Sequence, residues 1–212
     1  MKLKLATTLL AVSIAGAASA QSSFLSYSFL SAAVSDSDGW GGFYTGSTSS
    51  NSSGDLTYYD GPDSYFSGPF DIDGPSIGAF AGYNIQGDTF TYGIEVAYMG
   101  SEVGIPPLYS QSFSDFTDIK FRAGFAGDRT MIYGVVGQTY ATWHDGGALD
   151  TFTAKGMNYG VGIDFRIMGQ IFVGAEYLVR DLTGYYGTDS PSNGWHIDFN
   201  EESLQLRVGI NF

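Results

Sequence analysis

From Trp40 to the last residue, apolar and polar residues keep exchanging places at every second position. The closing stretch "SLQLRVGINF" shows it most plainly. Leu204, Leu206, Val208, Ile210 and Phe212 alternate without a break against Ser203, Gln205, Arg207, Gly209 and Asn211. A two-residue period sends successive side chains to opposite faces of a strand, so this segment predicts a β-strand with one oily and one polar face. The same pattern runs through "TFTYGIEVAYMG", where Phe90, Tyr92, Ile94, Val96 and Tyr98 oppose Thr91, Gly93, Glu95 and Ala97. In "FSDFTDIKFRAGFA", Thr117, Ile119, Phe121, Ala123 and Phe125 oppose Asp118, Lys120, Arg122 and Gly124. "FTAKGMNYGVGIDFRI" and "QIFVGAEYLVRDL" repeat it, with Asp164, Arg166, Glu176 and Arg180 on the polar side. "WGGFYTGSTS" from Trp40, "GPSIGAFAGYNI" from Gly74 and "TMIYGVVGQTYATW" bring the number of segments to eight, although the faces of the last stay unassigned.

Two regularities organise these segments. They run ~10–14 residues, longer than the usual strand of a globular protein. Their connections alternate in length. "QGD" (86–88), "GDR" (127–129) and Met168-Gly169 are tight, whereas roughly 48–73, the stretch around Pro106-Pro107, "HDGGALD" and 183–197 are long. Residues 48–73 read as too polar and too broken for a core. An even number of long alternating strands, with all the tight turns at one end, predicts an all-β fold: an eight-stranded antiparallel transmembrane up-and-down barrel over residues 39–212.

Charge decides which face points where. Glu95, Asp118, Lys120, Arg122, Asp164, Arg166, Glu176, Arg180 and Arg207 all fall mid-strand on the polar face, whereas residues 48–74 carry five Asp and no Lys or Arg. A soluble sandwich, with its polar face in water, has no reason to withhold cations from its loops. A narrow eight-stranded barrel has one, because its interior is filled by side chains and enclosed charges need partners. These nine residues are therefore expected to form an interior charge network. Gly78, Gly82, Gly93, Gly124, Gly160, Gly162, Gly174 and Gly209 share that face, as room for long side chains requires. Tyr44, Tyr83, Tyr98, Tyr140, Trp143 and Tyr177 are expected in girdles at the two membrane interfaces.

The N-terminus sets the compartment. "MKLKLATTLLAVSIAGAASA" has Lys2 and Lys4, a short apolar run and a small-residue Ala18-Ser19-Ala20 end, the pattern of a secretory signal peptide over 1–20. Residues 21–38 read as an N-terminal extension. Without the leader, seven basic residues stand against 22 acidic ones, a charge of about −15 that disfavours nucleic acid as a partner. There is no cysteine, which excludes disulfides and thiolate metal sites.

Candidate chemistry is sparse. His144-Asp145, and His196 two before Asp198, pair a base with a carboxylate, and Ser190, Ser192 or Ser203 offers a hydroxyl. These are bare pairs, and no catalytic residue, metal ligand or cofactor is expected. "DIDG" (71–74) lacks the later ligands of a calcium loop, so acidic loops bridging lipopolysaccharide through divalent cations are the expectation instead. Asn51-Ser52-Ser53 has the form of a glycosylation acceptor, a three-residue motif too short to carry a function by itself.

"WGGFYTG" (40–46) resembles the first-strand motif of the opacity-type outer-membrane proteins of Gram-negative bacteria. "GAEYLVRDL" and "RVGINF" resemble their last two strands. The resemblance covers about 40–212 and implies an eight-stranded barrel related to the OmpA transmembrane domain, in the outer membrane. It also implies that Phe212 is part of a C-terminal signal read by the barrel-assembly machinery. With the sequence ending at Phe212, the periplasmic peptidoglycan-binding domain of OmpA is not expected here. The expected role is non-enzymatic, in envelope integrity or surface interaction with an external partner the residues do not name. A narrow channel for small solutes is the alternative.

Overall fold

The computed structural model describes residues 39–60, 65–100, 103–105, 108–145, 151–185 and 195–212. Residues 1–38, over which a signal peptide and an extension are expected, lie outside them. The strands are β1 (Gly42–Asp60), β2 (Tyr65–Gln86), β3 (Phe90–Gly100), β4 (Val103–Ile105), β5 (Leu108–Ala126), β6 (Thr130–Asp145), β7 (Thr151–Met168), β8 (Ile171–Tyr185) and β9 (Trp195–Asn211). Each pairs antiparallel with its neighbours, and β9 returns to β1 from Tyr44↔Asn211 to Asp60↔Trp195, closing the sheet. The short β4 pairs with β2 and β5, as β3 does, and prolongs that stave. The result is a closed eight-stranded antiparallel barrel. Closure removes every unpaired edge, which a membrane interior requires.

The tight turns gather at one end. Gly87 N–H donates to Phe90 O at 2.8 Å, Gly127 N–H donates to Thr130 O at 2.8 Å, and Gly169 takes a positive φ of 53° that favours glycine. The outward face is apolar and bare: Phe43, Ile94, Phe125, Val161 and Leu206 are each more than 60% exposed. Apolar exposure on that scale marks a lipid-facing surface. Phe43, Phe90, Phe125, Phe165 and Phe212 ring the turn end, and Tyr98, Tyr140 and Tyr177 lie outward nearer the loops.

Three sequence expectations are corrected. Residues 48–60 and 65–73, read as loop, are strand: β1 and β2 pair through them, Ser49↔Ile77 to Tyr59↔Tyr65. Strands hydrogen-bonded on both edges tolerate Ser, Gly and Asp when one side faces solvent, because sheet context outweighs intrinsic propensity. "DIDG" is thus extended backbone within β2 rather than a calcium loop. Tyr44 and Trp143 are not girdle residues. Their parity on β1 and β6 points them inward, to 3% and 1% exposure. On β9, Leu204, Leu206 and Phe212 are exposed and Val208 is half-buried, but Ile210, with the same outward parity, is fully buried beside Ile171.

The structure also assigns β6. Met131, Tyr133, Val135, Thr139, Ala141 and Trp143 point inward, and Ile132, Val136 and Tyr140 point outward. Its alternation is blurred in sequence because its inward face is nearly as apolar as its outward one.

Candidate functional site

The barrel lumen is where the polar faces of all strands converge, so any path through the molecule lies there. Three layers fill it. At the turn end, Trp40, Tyr44, Phe80, Tyr133 and Phe172 pack together, with Trp40 and Phe172 edge-on at 5.8 Å between centroids. At the loop end, Leu56, Phe113, Phe116, Trp143 and Phe199 form a second cluster, in which Phe113 stacks on Phe199 at 4.1 Å. Charged residues occupy the space between.

Those charges form two groups. In the first, Lys120 Nζ lies 2.8 Å from Glu95 and 2.5 Å from Glu176. Arg122 donates to Glu95 and Asp164, both at 2.8 Å, and Arg207 donates to Glu95 and Glu176, both at 2.5 Å. The register explains the meeting: Glu95 stands opposite Lys120 across β3–β5, and Glu176 lies one strand from Arg207 across β8–β9. Tyr133 sits in the middle, its hydroxyl 3.1 Å from Glu176 and its ring 3.8 Å from the Arg122 guanidinium. In the second group, nearer the loops, Arg180 gives Nε and Nη2 to Asp118 at 3.0 and 2.7 Å and Nη1 to Glu201 at 3.0 Å. Thr139 and Asn158 also donate to Asp118, at 2.6 and 3.3 Å. Every one of these charged side chains is at most 2% exposed. Removed from water, such charges are tolerable only when paired and hydrogen-bonded, and then they hold the opposing strands at fixed spacing.

The glycines make the room. A Cβ at Gly162 would lie 2.3 Å from the Tyr133 ring, and one at Gly174 would lie 2.0 Å from the Asp164 carboxylate. A Cβ at Gly82 would strike Tyr44 at 2.3 Å.

The chain matches the family model for the outer membrane protein beta-barrel domain over residues 7–212. It belongs to that family. This outer-membrane barrel superposes on OprG from Pseudomonas aeruginosa with a TM-score of 0.53 at 12% identity, covering 82% of this chain and 97% of that one. Ail, the attachment invasion locus protein of Yersinia pestis, solved in complex with the heparin analogue sucrose octasulfate, gives 0.45 at 15%, covering 81% and 99%. The N-terminal β-barrel domain of Pseudomonas aeruginosa OprF gives 0.41 at 13%, covering 78% and 97%. No curated protein matches the sequence. The protein resides in the outer membrane and crosses it with strands.

Of the nine charged residues singled out from the sequence, the barrel gathers eight into these two groups and sets one apart. Arg166 sits at the turn end, its guanidinium 5.0 Å from the Trp40 ring and donating to the Gly39 carbonyl. Its place at the end of β7, two residues before the turn, carries it past the charged layer. Glu201 lies outside the closing strand that the sequence predicts from Ser203, whereas β9 begins at Trp195. Continuing the alternation back from Arg207 through Gln205 and Ser203 reaches Glu201. Tyr44, Tyr133, Thr139 and Asn158 complete the network, and no charge in the sequence marks them.

The catalytic candidates fall elsewhere. His196 stacks on Tyr59 at 4.2 Å on the outward face of β9, seven residues from Ser203, which points inward. His144 Nε2 lies 2.9 Å from Ser114 Oγ at the outer rim, but Asp115 Oδ2 accepts from that same serine at 3.0 Å. A catalytic relay needs the carboxylate on the far ring nitrogen of the base, orienting it. Ser190, Ser192 and the side chain of Asp145 lie outside the described residues.

Proposed function

We propose that this outer-membrane barrel is a closed, non-enzymatic scaffold that stabilises the envelope and displays an acidic outer rim, and that it forms no open pore. The observation that carries the proposal is the filled lumen. Among the described residues, two aromatic clusters bracket an ion-pair layer whose side chains are at most 2% exposed, which supports a lumen without a continuous water path. An eight-stranded barrel has an interior only about as wide as its own side chains, which fits this reading.

Asp55, Asp115, Asp181 and Glu202 are exposed on the outward face. Carboxylates so placed suit association with anionic lipopolysaccharide through shared divalent cations. The exposed aromatic Phe212, hydrogen-bonded through its backbone to Phe43 at 2.7 Å, is the feature we assign to recognition by the assembly machinery.

Conductance in planar bilayers tests the central claim. Purified protein is expected to give no stable openings. Reproducible single-channel steps, abolished by bulky replacement at Gly162 or Gly174, would favour the channel reading instead.

A further inference from the structure

Among the described residues, five carboxylates are enclosed in the lumen, Glu95, Asp118, Asp164, Glu176 and Glu201, against four cations, Lys120, Arg122, Arg180 and Arg207. No other described basic residue closes the difference. Arg129 is exposed in a turn, Lys155 points outward from β7, and Arg166 lies at the turn end over Trp40. His144 and His196 stand on the outward face, alternating with the buried Trp143 and Ile197. Lys2 and Lys4 lie outside the described residues, in the expected leader. A net charge held away from water is costly, so something positive is required.

The geometry locates the deficit. The turn-end group is even, Glu95, Asp164 and Glu176 against Lys120, Arg122 and Arg207. Near the loops, Arg180 is the cation in direct contact with two acids among the described residues. Asp118 takes two of its nitrogens and has Thr139 and Asn158 as well. Glu201 is left with Nη1, 3.0 Å from each of its oxygens. In the β1–β9 register, Gly54 stands opposite Glu201 and Ser52 opposite Ser203. The wall facing Glu201 therefore carries a hydroxyl and a position with no side chain. Ser52 Oγ is buried at 1% exposure and meets no hydrogen-bond partner among the described residues. A hard oxygen without a partner, on the strand paired with Glu201, and a carboxylate whose two oxygens share a single Arg180 nitrogen together offer the donor set of a small hard cation.

We propose that the outer half of the lumen binds one monovalent alkali cation between the Glu201 carboxylate and Ser52 Oγ, with Ser203 Oγ adjacent. The charge deficit of one matches a monovalent ion. The cluster of Phe113, Phe116 and Phe199 on the loop side shields the ion from bulk water. The site depends on where the charges lie and not on the closed-scaffold reading, since a conducting barrel could hold the same ion.

The test is the thermal unfolding midpoint of the detergent-solubilised protein, followed by its heat-modifiable gel mobility, in sodium chloride against choline chloride at equal ionic strength. The midpoint is expected to rise saturably with sodium and not with choline. Glu201→Gln keeps an acceptor for Arg180 while removing the extra charge. It should fold, lose the sodium response, and melt in choline chloride no lower than the wild type. Ser52→Ala should fold and need roughly fivefold more sodium for half the effect. Equal midpoints in the two salts, or an undiminished sodium response in Glu201→Gln, overturn the proposal. A midpoint that climbs on acidification without preference for sodium assigns the missing charge to a proton and also overturns it.

Discussion

Toward the turn end of the lumen, Glu95 is met by Lys120, Arg122 and Arg207, and Glu176 by two of the same cations. Toward the loops, one guanidinium, Arg180, is divided between Asp118 and Glu201. The two regions differ in redundancy. Where several cations share several acids, the loss of one contact leaves others in place. Where one cation bridges two acids, its loss strands both in a space the aromatic cap keeps dry. Charge number therefore matters less than how the partners are distributed.

The largest effect should come from removing the shared cation of each region. Arg180→Met and Arg207→Met are each expected to cost about 3–5 kcal/mol, the usual penalty for leaving a buried charge without its partner. Arg180→Met should stand at the upper end, because among the described residues neither Asp118 nor Glu201 has a second cationic side chain in direct contact. Urea titration of folding in lipid vesicles measures both. Equal losses would mean that redundancy does not protect the turn-end group.

A smaller effect tests the wall that both regions share. Leu206 on β9 points to lipid and Gln205 points inward. Leu206→Arg should cost about 2–4 kcal/mol near the membrane midplane. Equal tolerance of Leu206→Arg and Gln205→Arg in lipid refolding would show that the faces are reversed.

Crowding in the turn-end group can be probed at Gly162, where an added methyl meets the Tyr133 ring at 2.3 Å. Gly162→Ala is expected to cost about 1–3 kcal/mol by overpacking, read from the same titration. A neutral result would mean that the Tyr133 ring has room to move away.

The smallest effect lies outside the lumen. Tyr98 and Ser114 hydroxyls donate to Asp115 at the outer rim and hold its carboxyl below the ordinary range. A carboxylate with a depressed folded pKa stabilises the fold above its unfolded pKa, and that contribution is lost as pH falls through the folded value. Tyr98→Phe should move the Asp115 titration upward, toward the ordinary value, without disturbing either interior group. Carboxyl titration by NMR in micelles would show it, and an unmoved Asp115 would discount the hydrogen bond.

Much of the barrel is legible in the chain because lipid and lumen impose opposite demands on alternate residues. On β3 the oily face from Phe90 to Tyr98 and the inward face from Thr91 to Met99 never mix, so one strand of sequence assigns both. β6 resists the same reading, because its inward residues serve the aromatic clusters and resemble its lipid face. The polar half of β1 resists it for another reason. Ser49, Asn51 and Ser53 become strand only because β2 and β9 supply hydrogen bonds on both sides.

Sequence alone determined the strand period, the turn-end and loop-end asymmetry, and the polar face that carries Glu95, Lys120, Arg122, Glu176 and Arg207. These follow from one-dimensional spacing, because side chains two apart share a face. Only the tertiary structure decided which acid meets which cation, that Arg166 stands apart, and that Glu201 joins Arg180. Those depend on the stagger between strands far apart in the chain, which brings residues such as Glu95 and Arg207 to one point in a closed barrel.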